Sequence, residues 1–188
     1  MAVSVIIPPV ASPVTLSDIK QHLRIDHDEE NDFLLALSQA AVDHVETHIR
    51  QSLINRTLRQ YCDDLPATNR VVIEGWPVTT VVEVSGYNTA GDIHVIDQST
   101  YRLVRDHVST ELVFDPAINR DMIVNGIEID FVSGFGDMGL DIPSNILQAI
   151  KRIIAHWYEV RGSGQEGGEA SLPNGIDRLL APLRRVSL

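Results

Sequence analysis

The apolar residues change period twice along the 188 residues of this chain, and nothing else in the sequence limits the fold as much. Phe33, Leu34, Leu37, Ala41, Val45, Ile49 and Leu53 recur at three- and four-residue spacing, which predicts one long helix over residues 29–54. Between residues 57 and 132 the runs become short and β-branched, as in Val71-Val72-Ile73, Val81-Val82 within 80–84, and the segments 101–104, 111–114 and 126–131. Trp76-Pro77, Asn88 to Gly91, Asp115-Pro116 and Asn125-Gly126 punctuate them as turns, so antiparallel strands are expected there. The helical period returns after Pro143. Ile146, Leu147, Ile150, Ile153, Ile154, Trp157 and Tyr158 form a broad stripe that predicts a helix over 143–161. The expected class is therefore α+β, with a helical bundle core (two long helices plus short helices) and a small antiparallel β-region inserted between them. The two stripes should pack on each other, with Leu37, Val45, Ile49, Ile150, Ile154 and Trp157 in the core.

The flanking segments differ in kind. Residues 1–13 are apolar but lack basic residues and are broken by prolines, so an extended arm is expected rather than a secretory leader. Thr15-Leu16-Ser17-Asp18 has the form of a capping box opening a short helix over 15–24. The acidic cluster Asp26, Asp28, Glu29, Glu30 and Asp32 then sits where negative charge favours a helix start. Residues 14–162 are read as one domain, and 163–172, rich in glycine and glutamate, as a flexible linker. The final segment, 173–188, carries Ile176, Leu179, Leu180 and Leu183 on one stripe. Arg178, Arg184 and Arg185 against the single Asp177 make it net +2 in a chain of −11. Such a segment suits docking into an acidic groove of a partner. The competing reading is a helix folded back over its own core.

Charge and composition exclude several classes. A net charge of −11 repels phosphate backbones, which argues against sequence-reading of DNA but not against DNA sliding past. No apolar run approaches the ~20 residues that span a bilayer. Cys62 is the single cysteine, so no internal disulfide can form. No apolar patch outside the expected core stands out, so contacts with neighbours are expected to be polar.

Three patterns invite a chemical reading. Gly134-Phe135-Gly136-Asp137-Met138-Gly139 matches the dinucleotide fingerprint G-x-G-x-x-G between a strand and a helix. Pro143 places the helix start beyond the last glycine, however, and no second parallel strand follows to complete the βαβ unit. His44 and His48 stand one turn apart, but no further ligand has the right spacing, so a surface pair is expected. The cluster from Asp26 to Asp32 lacks the central glycine of a calcium loop and runs into a helix. No nucleophile elbow or phosphate loop is present, and neither cofactor nor metal is expected.

In order along nearly the whole chain, other residues carry a likeness. Leu16 to Asp26 reads as L-x-x-x-K-x-H-L-R-x-D. Trp76-Pro77, Val81-Val82 and Tyr87 follow, then Tyr101-Arg102-Leu103. Asp130 to Gly136 has a v-x-a-G-y-G-like strand exit, and Ile142-Pro143, Tyr158 to Arg161 and Leu179 to Arg184 complete the series. With these motifs the chain resembles the phage head–tail connector, or adaptor, family, which also occurs in gene transfer agents. The resemblance implies a non-enzymatic subunit that forms a ring, a dodecamer, beneath the portal protein of a particle assembled in the host cytoplasm. That ring would extend the DNA channel and offer a platform to stopper or tail-terminator proteins. Ile176, Arg178, Leu179, Leu180, Leu183, Arg184 and Arg185 would be its portal-docking residues. Another particle-assembly role, in tail completion or as a chaperone, and least of all a nucleotide-binding enzyme, stand as alternatives.

Overall fold

The computed structural model describes residues 2–106, 109–160 and 175–185. The expected linker at 163–172, His107 and both ends of the tail segment lie outside them. Two compact units emerge. One comprises Met1–Val10 with Asn55–Phe135, the other Ala11–Ile54 with Gly136–Leu188.

The first unit is all strand with short turns, and it corrects the expected architecture. It is not a small insertion in a helical bundle but two antiparallel sheets with a core of their own. The strands are β1 (Ala2–Ile7), β2 (Arg56–Cys62), β3 (Arg70–Val72), β4 (Val78–Tyr87), β5 (Ile93–Val95), β6 (Tyr101–Arg105), β7 (Thr110–Phe114) and β8 (Ile127–Ser133). Five of them form a sheet in the order β1-β2-β8-β4-β5, and three form a second in the order β3-β7-β6. Leu58, Ile129 and Phe131 from the first sheet and Val71, Leu112 and Phe114 from the second are buried in one cluster. Short β-branched runs between turn signals made β3, β4, β6, β7 and β8 readable. They missed β5, and they left the arm unpaired, whereas β1 pairs antiparallel with β2. β3 is as short as β5 but lies in the β-branched run Val71-Val72-Ile73, whereas His94 interrupts the run at Ile93–Val95. The arm is apolar at consecutive positions, so it shows no period of two.

One buried polar group ties the two sheets. Gln60 is fully buried on β2, where its amide donates to the Val72 carbonyl at 2.8 Å and its oxygen accepts from the Glu74 N–H at 2.7 Å. Both ends of the side chain are satisfied, which is what makes a glutamine tolerable inside. The opposite face of the sheet is charged. Arg59 on β2 holds Asp130 through Nε at 2.7 Å and Glu128 through Nη1 at 2.9 Å, and the Tyr87 hydroxyl donates to Glu128 at 2.6 Å.

The second unit holds α1 (Leu16–Leu23), α2 (Asn31–Ile49), α3 (Ser144–Val160) and α4 (Ile176–Leu180). No described helix is long and apolar enough to cross a membrane. The capping box opens α1 as expected: the Asp18 N–H donates to Thr15 Oγ1 at 3.1 Å and the Thr15 N–H to Asp18 Oδ2 at 3.2 Å. Helix α2 is shorter than its apolar stripe. Arg50 turns into the left-handed region at φ 57° and closes it, and Glu46 Oε1 then takes the Leu53 N–H at 2.7 Å. Leu53 and Ile54 are buried beyond the helix end rather than within it. The stripes of α2 and α3 pack together, with Val45, Ile49, Ile150 and Ile154 fully buried, while Leu37 and Trp157 are half-buried.

Removing three carbons from this contact leaves a cavity that packed helices cannot collapse. Ile154→Ala should therefore lower the unfolding free energy by about 2–5 kcal/mol in chemical denaturation. The cap makes a second expectation. Hydrogen bonds from Thr15 hold the Asp18 carboxyl below its usual range. A carboxyl depressed in the folded state stabilises above its unfolded value of about 3.9, and that contribution is lost as pH falls through the folded value. Thr15→Ala should cost about 1 kcal/mol at neutral pH, and its difference from wild type should narrow in acid.

Candidate functional site

The flagged features that fall on described residues each have a place in the structure. The glycine string divides between the units. Gly134, at the exit of β8, sits at φ 153° and donates its N–H to the Pro77 carbonyl at 2.9 Å. In the second unit, a Cβ on Gly136 would stand 2.3 Å from the Asp141 carboxylate, and one on Gly139 would stand 2.3 Å from the Pro13 carbonyl oxygen. Gly139 is thus required by close approach of backbone, and Gly136 by the Asp141 side chain packed against it. A single 3₁₀ turn at Gly139–Asp141 follows, and α3 begins only at Ser144.

The acidic cluster joins the first two helices. Lys20 Nζ reaches Asp28 at 2.6 Å and Asn31 Oδ1 at 3.2 Å, and Tyr158 on α3 donates to Glu30 at 2.5 Å. Asp28 thus faces lysine and asparagine donors, and Glu30 a tyrosine donor. His44 and His48 stack with ring centroids 6.4 Å apart, and His44 meets the Trp157 ring edge-on at 6.1 Å. Both are half-buried, so the expected surface pair lies partly beneath the tail, where His48 Nε2 faces Asp177 Oδ1 at 3.6 Å. Among the described residues, no group of three potential ligands converges on a metal position. Cys62 is buried, and burial raises its thiol above the ordinary range.

The tail is the segment of the expected site with the most definite geometry. Ile176 and Leu180 are fully buried within their own unit, while Leu179 and Leu183 are half-buried. Asn145 on α3 donates to the Leu179 carbonyl at 3.2 Å, Gln51 donates to the Leu183 carbonyl, and the Arg185 N–H donates to the Ile49 carbonyl at 3.1 Å. The apolar stripe is therefore used internally. Arg178 and Arg184 remain exposed on the outer side, and Arg185 is partly buried, which lowers its pKa. Gln51, Asn145 and Glu46 anchor this region, and none was legible beforehand, because a lone amide or carboxylate carries no periodic signal.

If the glycines serve packing, enlarging them must disturb the fold. Gly139→Ala should lower the melting temperature of the full chain, equivalent to about 1–3 kcal/mol for overpacking against backbone. An unchanged melting temperature would return these glycines to the list of possible ligand loops.

Comparison with known proteins agrees with this geometry. The family model described as phage gp6-like head–tail connector protein matches residues 13–89. Over the full length, the fold resembles a chain in the virion of a native gene transfer agent particle, with TM-score 0.82 and 25% identity, covering 100% of this chain and 97% of that one. It also resembles chains in the neck of the empty particle, computed with C6 symmetry (TM-score 0.82, 24% identity, the same coverage), and in the neck of the native particle, computed with C12 symmetry (TM-score 0.78, 23% identity, the same coverage). No curated protein gives a significant match. The chain is thus similar to the phage gp6-like head–tail connector proteins over residues 13–89, and to chains of the gene transfer agent particle in fold along its whole length.

Proposed function

We propose that the chain is a ring-forming adaptor at the head–tail interface of a phage or gene transfer agent particle, assembled in the host cytoplasm as a dodecamer beneath the portal. The observation that carries this reading is the full-length likeness to chains of a particle neck computed with C12 symmetry. The physical features are in keeping with it. A chain of net charge −11 offers a channel wall to which DNA does not adhere. The glycines, the acidic cluster and the histidine pair are each occupied by packing or by side-chain partners, so the role is read as structural rather than enzymatic. Stopper or tail-terminator proteins are the partners expected on the side away from the portal.

Portal docking by residues 173–188 belongs to this proposal in a narrowed form. Ile176 and Leu180 already complete their own unit, so the contact falls to the exposed cationic side, Arg178 and Arg184. Deleting the segment would now remove core side chains and confuse stability with binding. Charge reversal is cleaner. The double variant Arg178→Glu, Arg184→Glu should keep the wild-type melting temperature and lose at least tenfold in portal co-purification. Undiminished capture would remove the tail from the docking surface and leave the adaptor role standing. For the role itself, tagged protein should be found by electron microscopy at the head–tail junction of finished particles. Its presence only in assembly intermediates would favour the chaperone reading instead.

A further inference from the structure

We propose that β1 is the joint between copies of this chain: its free edge pairs with the free edge of β5 on the next copy, so that the five-stranded sheet continues from subunit to subunit. The inference rests on the ring reading above and names the surfaces that would close it.

The first observation is the strand itself. Every residue of β1 is exposed, and Val3, Val5, Ile6 and Ile7 are apolar at 37 to 55% exposure. A strand apolar at successive positions is the kind normally covered on both faces. It also lacks the charged residues by which natural edge strands resist pairing. Val3 and Val5 lie opposite Gln60 and Leu58 on β2, so they continue the core-facing side of the sheet one strand beyond its cover.

The second observation lies at the other end of the same sheet. Ile93 and Val95 on β5 are 60 and 63% exposed. Beside that strand is a groove of about 530 Å³ lined by Ile96, Ile118, Met122 and Ile123 together with Asp97 and Asp115. Val3 and Val5 of a neighbour have the size and chemistry to lie over it. The exposed apolar sites expected to be missing are thus present at both edges, because pairing places them there rather than local sequence.

Topology and charge select a second copy as the occupant. Edges at opposite ends of one sheet are two different patches, which is what a head-to-tail contact requires. Four successive antiparallel pairings leave β1 and β5 running in the same direction. Copies related by rotation about an axis along the strands would then present them in parallel. From residue 1 to residue 17 there is no charged side chain, in a chain of net charge −11. Acidic copies repel one another over most of their surface, and this is the stretch where they can approach without that cost. A basic or an acidic partner would find no complementary charge on β1.

Cysteine pairing tests this on the full-length protein at several hundred micromolar. Val5→Cys with His94→Cys in one chain, two positions on the same face of the sheet, should give, on brief treatment with a bismaleimide, a ladder of covalent multimers beyond the dimer. Either substitution alone, with Cys62 buried, should give none. Dimers from Val5→Cys alone would overturn the head-to-tail joint in favour of a two-fold contact between β1 strands. Absence of the ladder would overturn the proposal whether or not rings are seen by native mass spectrometry. Rings without a ladder sink this joint and leave the adaptor ring intact, whereas a ladder from a protein absent from particle necks sinks the adaptor reading and leaves the joint.

Discussion

The alternation along β8 organises the strand-rich half of this protein. Ile127, Ile129 and Phe131 point into the shared core and are essentially without solvent contact, while Glu128 and Asp130 point to the other face and are held by Arg59. Because β2 and β4 flank this strand on either side, its register sets theirs. A slip of one residue would bring two carboxylates into the apolar layer and send Phe131 into water, which is why the pairing has one solution. Arg59 adds orientation on the wet face, its guanidinium spanning both carboxylates and its pKa raised chiefly by the Asp130 hydrogen bond. At that partial exposure the bridge contributes more to register than to stability.

The helical half relies on a different device. Helices α2 and α3 meet along apolar stripes, and the ends of the unit are finished by single polar side chains. Glu46 receives the chain as it leaves α2, Gln51 and Asn145 hold carbonyls of the tail, and Lys20 draws the acidic turn onto α1. Satisfying backbone groups with side chains lets a short helix such as α4 persist at a length where an isolated helix would not. It also divides the tail by function. The apolar side chains are used where they lie, and the arginines are left outward, available to a partner.

For a structural connector the informative surfaces are those with no internal use. In the strand-rich unit these are the two sheet edges, where backbone donors and acceptors and apolar side chains remain together. In the helical unit they are the cationic side of the tail. The glycine and histidine patterns flagged in the sequence have reasons in packing. Gly139 is small because Pro13 lies against it, and His44 is where it is because Trp157 covers it.

Local chemistry is legible along the chain because it needs no partner. The Thr15–Asp18 cap, the helical stripes that became α2 and α3, the turns at Trp76-Pro77 and Asn125-Gly126, and five of the eight strands follow from spacing alone. The family likeness was readable for the same reason, as an order of short motifs. What depends on two distant segments meeting was not. The sequence has no local sign that residues 2–7 would become the edge of a sheet whose nearest strand begins at residue 56, or that strands would build two sheets and a separate core. Nor does it show that α2 would stop at Ile49 while its apolar stripe runs on to Leu53, since Leu53 is buried from an extended segment as well as from a helix. Periodicity reports which residues want to leave water. Only the tertiary structure decides what covers them, because burial is a property of two surfaces and a sequence pattern describes one.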